Sequence, residues 1–134
     1  MSVSEDLGKL LLRVTLAIMI LLHGIAKLQN GVDFITGMVT NAGLPAVFAY
    51  GVYIGEVVAP LLVLIGLFTR PAALIVAINM LVAVWLVHMA ELYTLTETGG
   101  WALELQGFYL FVAIAISLLG PGRYSIDHKV RGKK

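Results

Sequence analysis

Cysteine is absent from all 134 residues. That removes thiol–disulfide exchange, cysteine-ligated iron–sulfur clusters, covalently attached c-type haem and structural disulfides from the chemistry of this chain. Charge is scarce as well: Asp, Glu, Lys and Arg make up 13% of the chain, about half the share in a soluble domain. With a net charge of +1 and no basic patch outside the tail, nucleic acid is not an expected partner. What fills the chain instead is apolar. Hydrophobic residues reach 60% and the mean hydropathy is +0.95, which points to a membrane protein.

Four apolar stretches, about 7–28, 46–68, 71–90 and 101–119, are each near the ~20 residues that a helical span requires. They and their short connections use almost the whole length. The expectation is therefore one all-α transmembrane domain over 1–134, a four-helix bundle with a basic tail at 120–134. Gly24-Ile25-Ala26 imitates a signal-peptidase site, but Glu5 and Asp6 spoil the basic leader such a signal needs. The first stretch is read as a true first helix.

Lys9, Arg70, Arg123, Lys129, Arg131, Lys133 and Lys134 fall at the N-terminus, the second connection and the tail. By the positive-inside rule those segments are cytoplasmic, with both termini on that side. The second connection is very short, and Pro71 suits a first helical turn. In the first connection Phe34, Ile35, Met38 and Val39 recur at helical spacing between Asp33, a candidate N-cap, and Gly43, a candidate stop. A short interfacial helix is expected there. Gly51 and Gly55, followed by Ala59, form a small-residue stripe suited to close helix packing.

Polar residues inside the spans carry the functional signal. Arg13, His23, Lys27, Glu56, Asn79, His88, Glu104 and Gln106 all lie within apolar stretches, where a charge costs roughly 3 kcal/mol near the bilayer centre. His23, Lys27, Glu56, His88 and Glu104 fall in the outer half, one or two from each helix. His23 and Lys27 share a face at i, i+4 spacing. Glu56 is central and too short to reach an interface, so it needs a partner, with His23 or Lys27 preferred. Pro60 cannot donate to the Glu56 carbonyl and should kink the helix there. Arg13 and Lys27 are expected to snorkel to opposite interfaces. Asn79 and His88, nine residues apart, point to opposite sides of an ideal helix. His23 and His88 meet the minimum for a bis-histidine haem b, but nothing else in the chain supports one.

Several segments resemble the DoxX family. Leu10-Leu11-Leu12-Arg13-Val14-Thr15 leading to His23-Gly24-Ile25-Ala26-Lys27-Leu28 is similar to its opening helix, and Ala42-Gly43-Leu44-Pro45 to the approach to its second. Glu56 followed by Leu64-Ile65-Gly66-Leu67-Phe68-Thr69-Arg70 resembles its second helix and turn. Leu119-Gly120-Pro121-Gly122-Arg123-Tyr124-Ser125-Ile126-Asp127 resembles its closing signature. The resemblance implies a multi-pass protein of the bacterial inner membrane, in a family whose members carry oxidoreductase or quinone-linked labels. It assigns no role to individual residues.

The expected function is a redox-associated subunit that binds quinone, or another small apolar carbonyl compound, in a polar pocket in the outer half of the bundle. Glu56, His23 and Lys27 are the candidate catalytic residues, and His88 and Glu104 join them as candidate ligand-binding residues. Expected partners are the lipid bilayer, proteins of a redox complex and further copies of the chain. The rival expectation is a non-catalytic membrane scaffold or chaperone subunit, with the small-residue stripe as its docking face.

Overall fold

A computed structural model describes residues 2–131, apart from the side chains of Val87 and His88. Among the described residues the regular structure is helical, with one isolated bridge between Leu95 and Trp101. Helix α1 covers Val3–Asn30, α2 Asp33–Asn41, α3 Ala46–Ile65 and α4 Thr69–Ala83. Helix α5 covers Glu104–Leu119 and α6 Ile126–Arg131. Helices α1, α3 and α4, the last with its continuation to Leu86, are long and apolar enough to cross a membrane. Helix α5 is a shorter apolar helix of 16 residues. It begins at Glu104 because Trp101–Leu103 is spent in the preceding turn, where Trp101 Nε1 donates to the Leu92 carbonyl.

The interior is built from small side chains. Ala72, Ala73, Ala77 and Ala113 are buried with Leu16, Ala17, Ile20, Val63 and Ile116, while Leu11, Leu22, Leu81, Phe108, Phe111 and Leu118 point outward. That is the distribution expected where lipid covers the outside, since burying apolar side chains away from lipid gains little and helices associate by close contact instead. In the small-residue stripe, a Cβ on Gly55 would lie 2.5 Å from the Asn79 side chain, and Ala59 is buried. Gly51 faces open space. The tightest approach lies at Gly24, where a Cβ would run into the Glu56 carbonyl.

The helices distort at two places. Residues Ile54–Val58 form a π turn, in which the Ala59 N–H reaches back to the Ile54 carbonyl. This is how the chain accommodates the missing N–H of Pro60: the hydrogen-bond register shifts just before the proline. A second π turn, Val84–His88, and a 3-10 turn, Met89–Glu91, follow α4. Asp33 is the first residue of α2 rather than its cap, which is Val32.

Arg13 overturns the snorkelling expectation. It is 1% exposed, and its guanidinium donates Nε to the Val63 carbonyl and Nη2 to that of Leu64, both at 3.0 Å. Its Nη1 donates to the carbonyls of Pro121 (3.0 Å) and Tyr124 (2.8 Å). The side chain thus closes the C-terminal end of α3 and holds the segment after α5. A carbonyl left at a helix end needs a donor, and a cation there also suits the helix dipole.

Asp127 closes the adjoining turn. Gly66 and Phe68 both adopt positive φ, 74° and 49°, a strained choice for phenylalanine. The Asp127 carboxylate accepts from the N–H groups of Phe68 and Thr69 at 2.9 Å each, capping the start of α4 from a distant part of the chain. It pairs with none of Arg13, Arg70 and Arg123 at salt-bridge distance. Burial pushes this carboxyl up, but the Thr69 and Phe68 N–H groups, with help from Arg131, outweigh it and hold the pKa below 3.8. Nearby, Asp6 accepts from the Arg123 N–H at 3.2 Å, and Gly120 (φ 84°) ends α5.

Two outcomes follow from this region. Arg13→Met leaves four carbonyls without their donor and should lower stability by about 3 kcal/mol or more, with Arg13→Lys recovering little because an ammonium lacks the planar fork. Denaturant unfolding in mild detergent measures both. Because the folded pKa of Asp127 is depressed, its contribution is present above pH 3.8 and fades as the pH falls through the lower folded value. Asp127→Asn should remove that part of the acid sensitivity, read from unfolding midpoints between neutral and acidic pH.

Candidate functional site

At the end of the bundle away from Arg13, α1 and α3 are joined through an ion pair. Lys27 Nζ donates to Glu56 Oε1 at 2.5 Å. The other carboxylate oxygen, Oε2, accepts from Asn79 Nδ2 at 3.1 Å, so Glu56 ties together α1, α3 and α4. Its side chain is 5% exposed, and that of Lys27 29%. Tyr53 Oη donates to the Lys27 carbonyl at 3.2 Å, fixing the end of α1 on which the lysine stands.

Local sequence explains the meeting. Gly24 has no side chain, so α1 can approach the α3 backbone at Glu56 closely enough for Lys27, one turn on, to reach the carboxylate. Gly55 does the same on the other side, admitting Asn79. The π turn around Glu56 places this residue in an irregular stretch, a feature that recurs at functional positions.

A cavity of about 180 Å³ opens beside the pair. His23, Lys27, Glu56, Gln106 and Tyr109 give it polar groups, while Ile20, Met80, Ala83 and Leu105 supply apolar walls. His23 sits edge-on to the Tyr109 ring, with centroids 6.1 Å apart and planes at 75°, a favoured aromatic geometry. Among the described residues no hydrogen bond holds the His23 imidazole to a protein group. Its two ring nitrogens offer one donor and one acceptor in the neutral form.

The structure therefore brings together three of the five residues singled out from the sequence. His23, Lys27 and Glu56 meet, and Lys27 is the partner that Glu56 takes. Glu104 is exposed on another face of α5, beside Trp101 and Phe108. The His88 side chain lies outside the described residues, and the bis-histidine haem reading depends on it. Asn79, Gln106 and Tyr109 complete the site and were not assigned to it from sequence. Gln106 and Tyr109 are three residues apart on one face of α5, and that spacing was the available signal.

The DoxX family profile matches residues 8–89. The chain belongs to the DoxX family. A Haemophilus influenzae relative, described as "Uncharacterized protein", is 33% identical over 121 residues, covering 88% of this chain and 87% of that one. A Bacillus subtilis relative named "Putative oxidoreductase CatD" is 30% identical over 135 residues, covering 100% of this chain and 96% of that one. No solved structure matches. The matched region holds His23, Lys27, Glu56 and Asn79, whereas Gln106 and Tyr109 lie beyond it.

The ion pair gives a direct test. Lys27→Met or Glu56→Gln alone strands a charge or a polar partner in a low-dielectric setting and should cost about 3 kcal/mol. The double substitution should cost less than the two singles added together, by 1 kcal/mol or more on the order expected for contacting groups. A double-mutant cycle on unfolding free energies measures the coupling.

Proposed function

We propose that this DoxX family membrane protein is a redox-associated subunit of the bacterial inner membrane that binds quinone or a similar small apolar carbonyl compound. In this reading four helices span the bilayer and both termini face the cytoplasm. The gathering of Lys9, Arg13, Arg70, Arg123, Lys129 and Arg131 at one end supports that orientation. One observation carries the functional proposal: a cavity inside the bundle with apolar walls and His23, Lys27 and Glu56 converging on it.

The residues fit such a ligand. At about 180 Å³ the cavity is smaller than the sites of drug-sized molecules, so it suits a single ring, with any isoprenoid tail left among the lipid chains. The quinone would supply two-electron, two-proton redox chemistry, with the electrons coming from a partner protein. His23, free of protein hydrogen bonds among the described residues, donates to a ligand carbonyl oxygen. Lys27 holds a proton between Glu56 and the cavity, and Glu56 can take that proton and pass it on. Asn79 keeps the carboxylate turned toward the lysine. The relative named "Putative oxidoreductase CatD" supports this class of function.

A second reading has its own observation. Both oxygens of Glu56 are engaged by Lys27 and Asn79, as in a scaffold whose polar groups lock the bundle. Titrating a short-chain quinone into protein in lipid nanodiscs separates the two. His23→Ala, which removes no protein hydrogen bond but does remove the edge-on contact with Tyr109, should weaken binding roughly tenfold while lowering the melting temperature by only a few degrees. Absence of saturable quinone binding to the wild type would establish the scaffold reading instead.

A further inference from the structure

The opposite end of the molecule holds a second cavity, of about 380 Å³, which the quinone reading does not use. Lys9, Arg70, Arg123 and Arg131 line it against a single acid, Asp6, and His128 stands at its edge. That is an excess of three positive charges in one pocket of a chain whose net charge is +1. The nearby carboxylate of Asp127 attracts Arg131 but is already committed to the Phe68 and Thr69 N–H groups.

The fold holds one of these side chains directly and another through its backbone. Arg70 Nη1 donates to the carbonyls of Ser117 (3.1 Å) and Leu118 (2.9 Å), which pins its guanidinium over the end of α5. Its remaining N–H groups are available to a ligand. Arg123 is anchored by its backbone N–H on Asp6, leaving its side chain to project from a fixed point. Among the described residues, Arg70, Arg123 and Arg131 have no carboxylate within salt-bridge distance. Gly122, at φ 78°, keeps the space beside Lys9 clear, since a Cβ there would come 3.2 Å from that of Lys9.

We propose that this pocket holds the phosphate of an anionic phospholipid. Guanidinium groups gathered in excess over the one acid of the pocket match a phosphate, which accepts paired N–H bonds. The surroundings favour a lipid over a free anion. Leu119 forms part of the wall, and Leu7, Leu11 and Leu118 are exposed close by in sequence to the basic residues. The pocket thus sits where the apolar belt gives way to charge, the level at which headgroups lie, and basic pockets between membrane helices are a recurring headgroup site.

Native mass spectrometry of the purified full chain in mild detergent, with phosphatidylglycerol or phosphatidylcholine added, tests this. Wild type should retain phosphatidylglycerol in preference to phosphatidylcholine, and the Arg123→Gln/Arg131→Gln double variant should bind phosphatidylglycerol roughly tenfold more weakly. Neither substitution removes a hydrogen bond described above, and only the weak attraction of Arg131 to Asp127 is lost, so the melting temperature without added lipid should fall by no more than a few degrees. Arg123→Lys/Arg131→Lys should keep most of the preference. The proposal fails if the glutamine variant binds phosphatidylglycerol as wild type does, or if the two lipids bind equally. It also fails if inorganic phosphate at matched concentration displaces the lipid, which would give the pocket to a free anion.

Discussion

The bundle depends on one side chain satisfying backbone groups that lipid cannot. Arg13 stands in the third turn of α1 yet donates to four carbonyls from two other parts of the chain, at the end of α3 and after α5. In water those carbonyls would find partners freely. Within an apolar surround each unpaired carbonyl is costly, so a guanidinium with five fixed donors becomes the means of joining three segments at once. Asp127 complements it on the donor side, accepting from the first N–H groups of α4. Together they make the turn between α3 and α4, with its positive-φ Phe68, sustainable.

That closure leaves the far end of the bundle open to a different use. Lys27, Glu56 and Asn79 tie three helices by side chains alone, and the glycines at 24 and 55 set how near those helices come. On the α5 side Leu105, Gln106 and Tyr109 line the cavity beside them. One end is thus held by backbone bonds and the other by a compact polar cluster next to a void. The two cavities, one lined by cations and one by the ion pair, lie at these opposite ends.

Much of this was legible in the residues, and the failures have physical causes. Membrane character, the short α2, the tight turn before Pro71 and the pairing of Glu56 with a residue of α1 all follow from periodicity, length and the cost of an isolated charge. Arg13 departs from the snorkelling expectation because snorkelling is a property of a lone helix near an interface. Its four acceptors lie 50 or more residues away in sequence. Pro60 makes itself felt as a π turn just ahead of it, a register shift that periodicity does not reveal. Glu104 was grouped with the site by depth alone, and depth does not specify which face of α5 it occupies.

By itself the sequence determined the class of this protein: apolar helices of membrane length, without cysteine, carrying a few polar residues that have to find each other. Those outcomes are local, set by composition, spacing and the energy of placing charge in hydrocarbon. Tertiary structure alone decided which polar residues meet, that Arg13 serves the backbone while Lys27 serves a carboxylate, and that two cavities form at opposite ends. Those are questions of rotation and approach between helices. They are settled by where a glycine lets two backbones touch, a relation between distant residues that linear spacing does not contain.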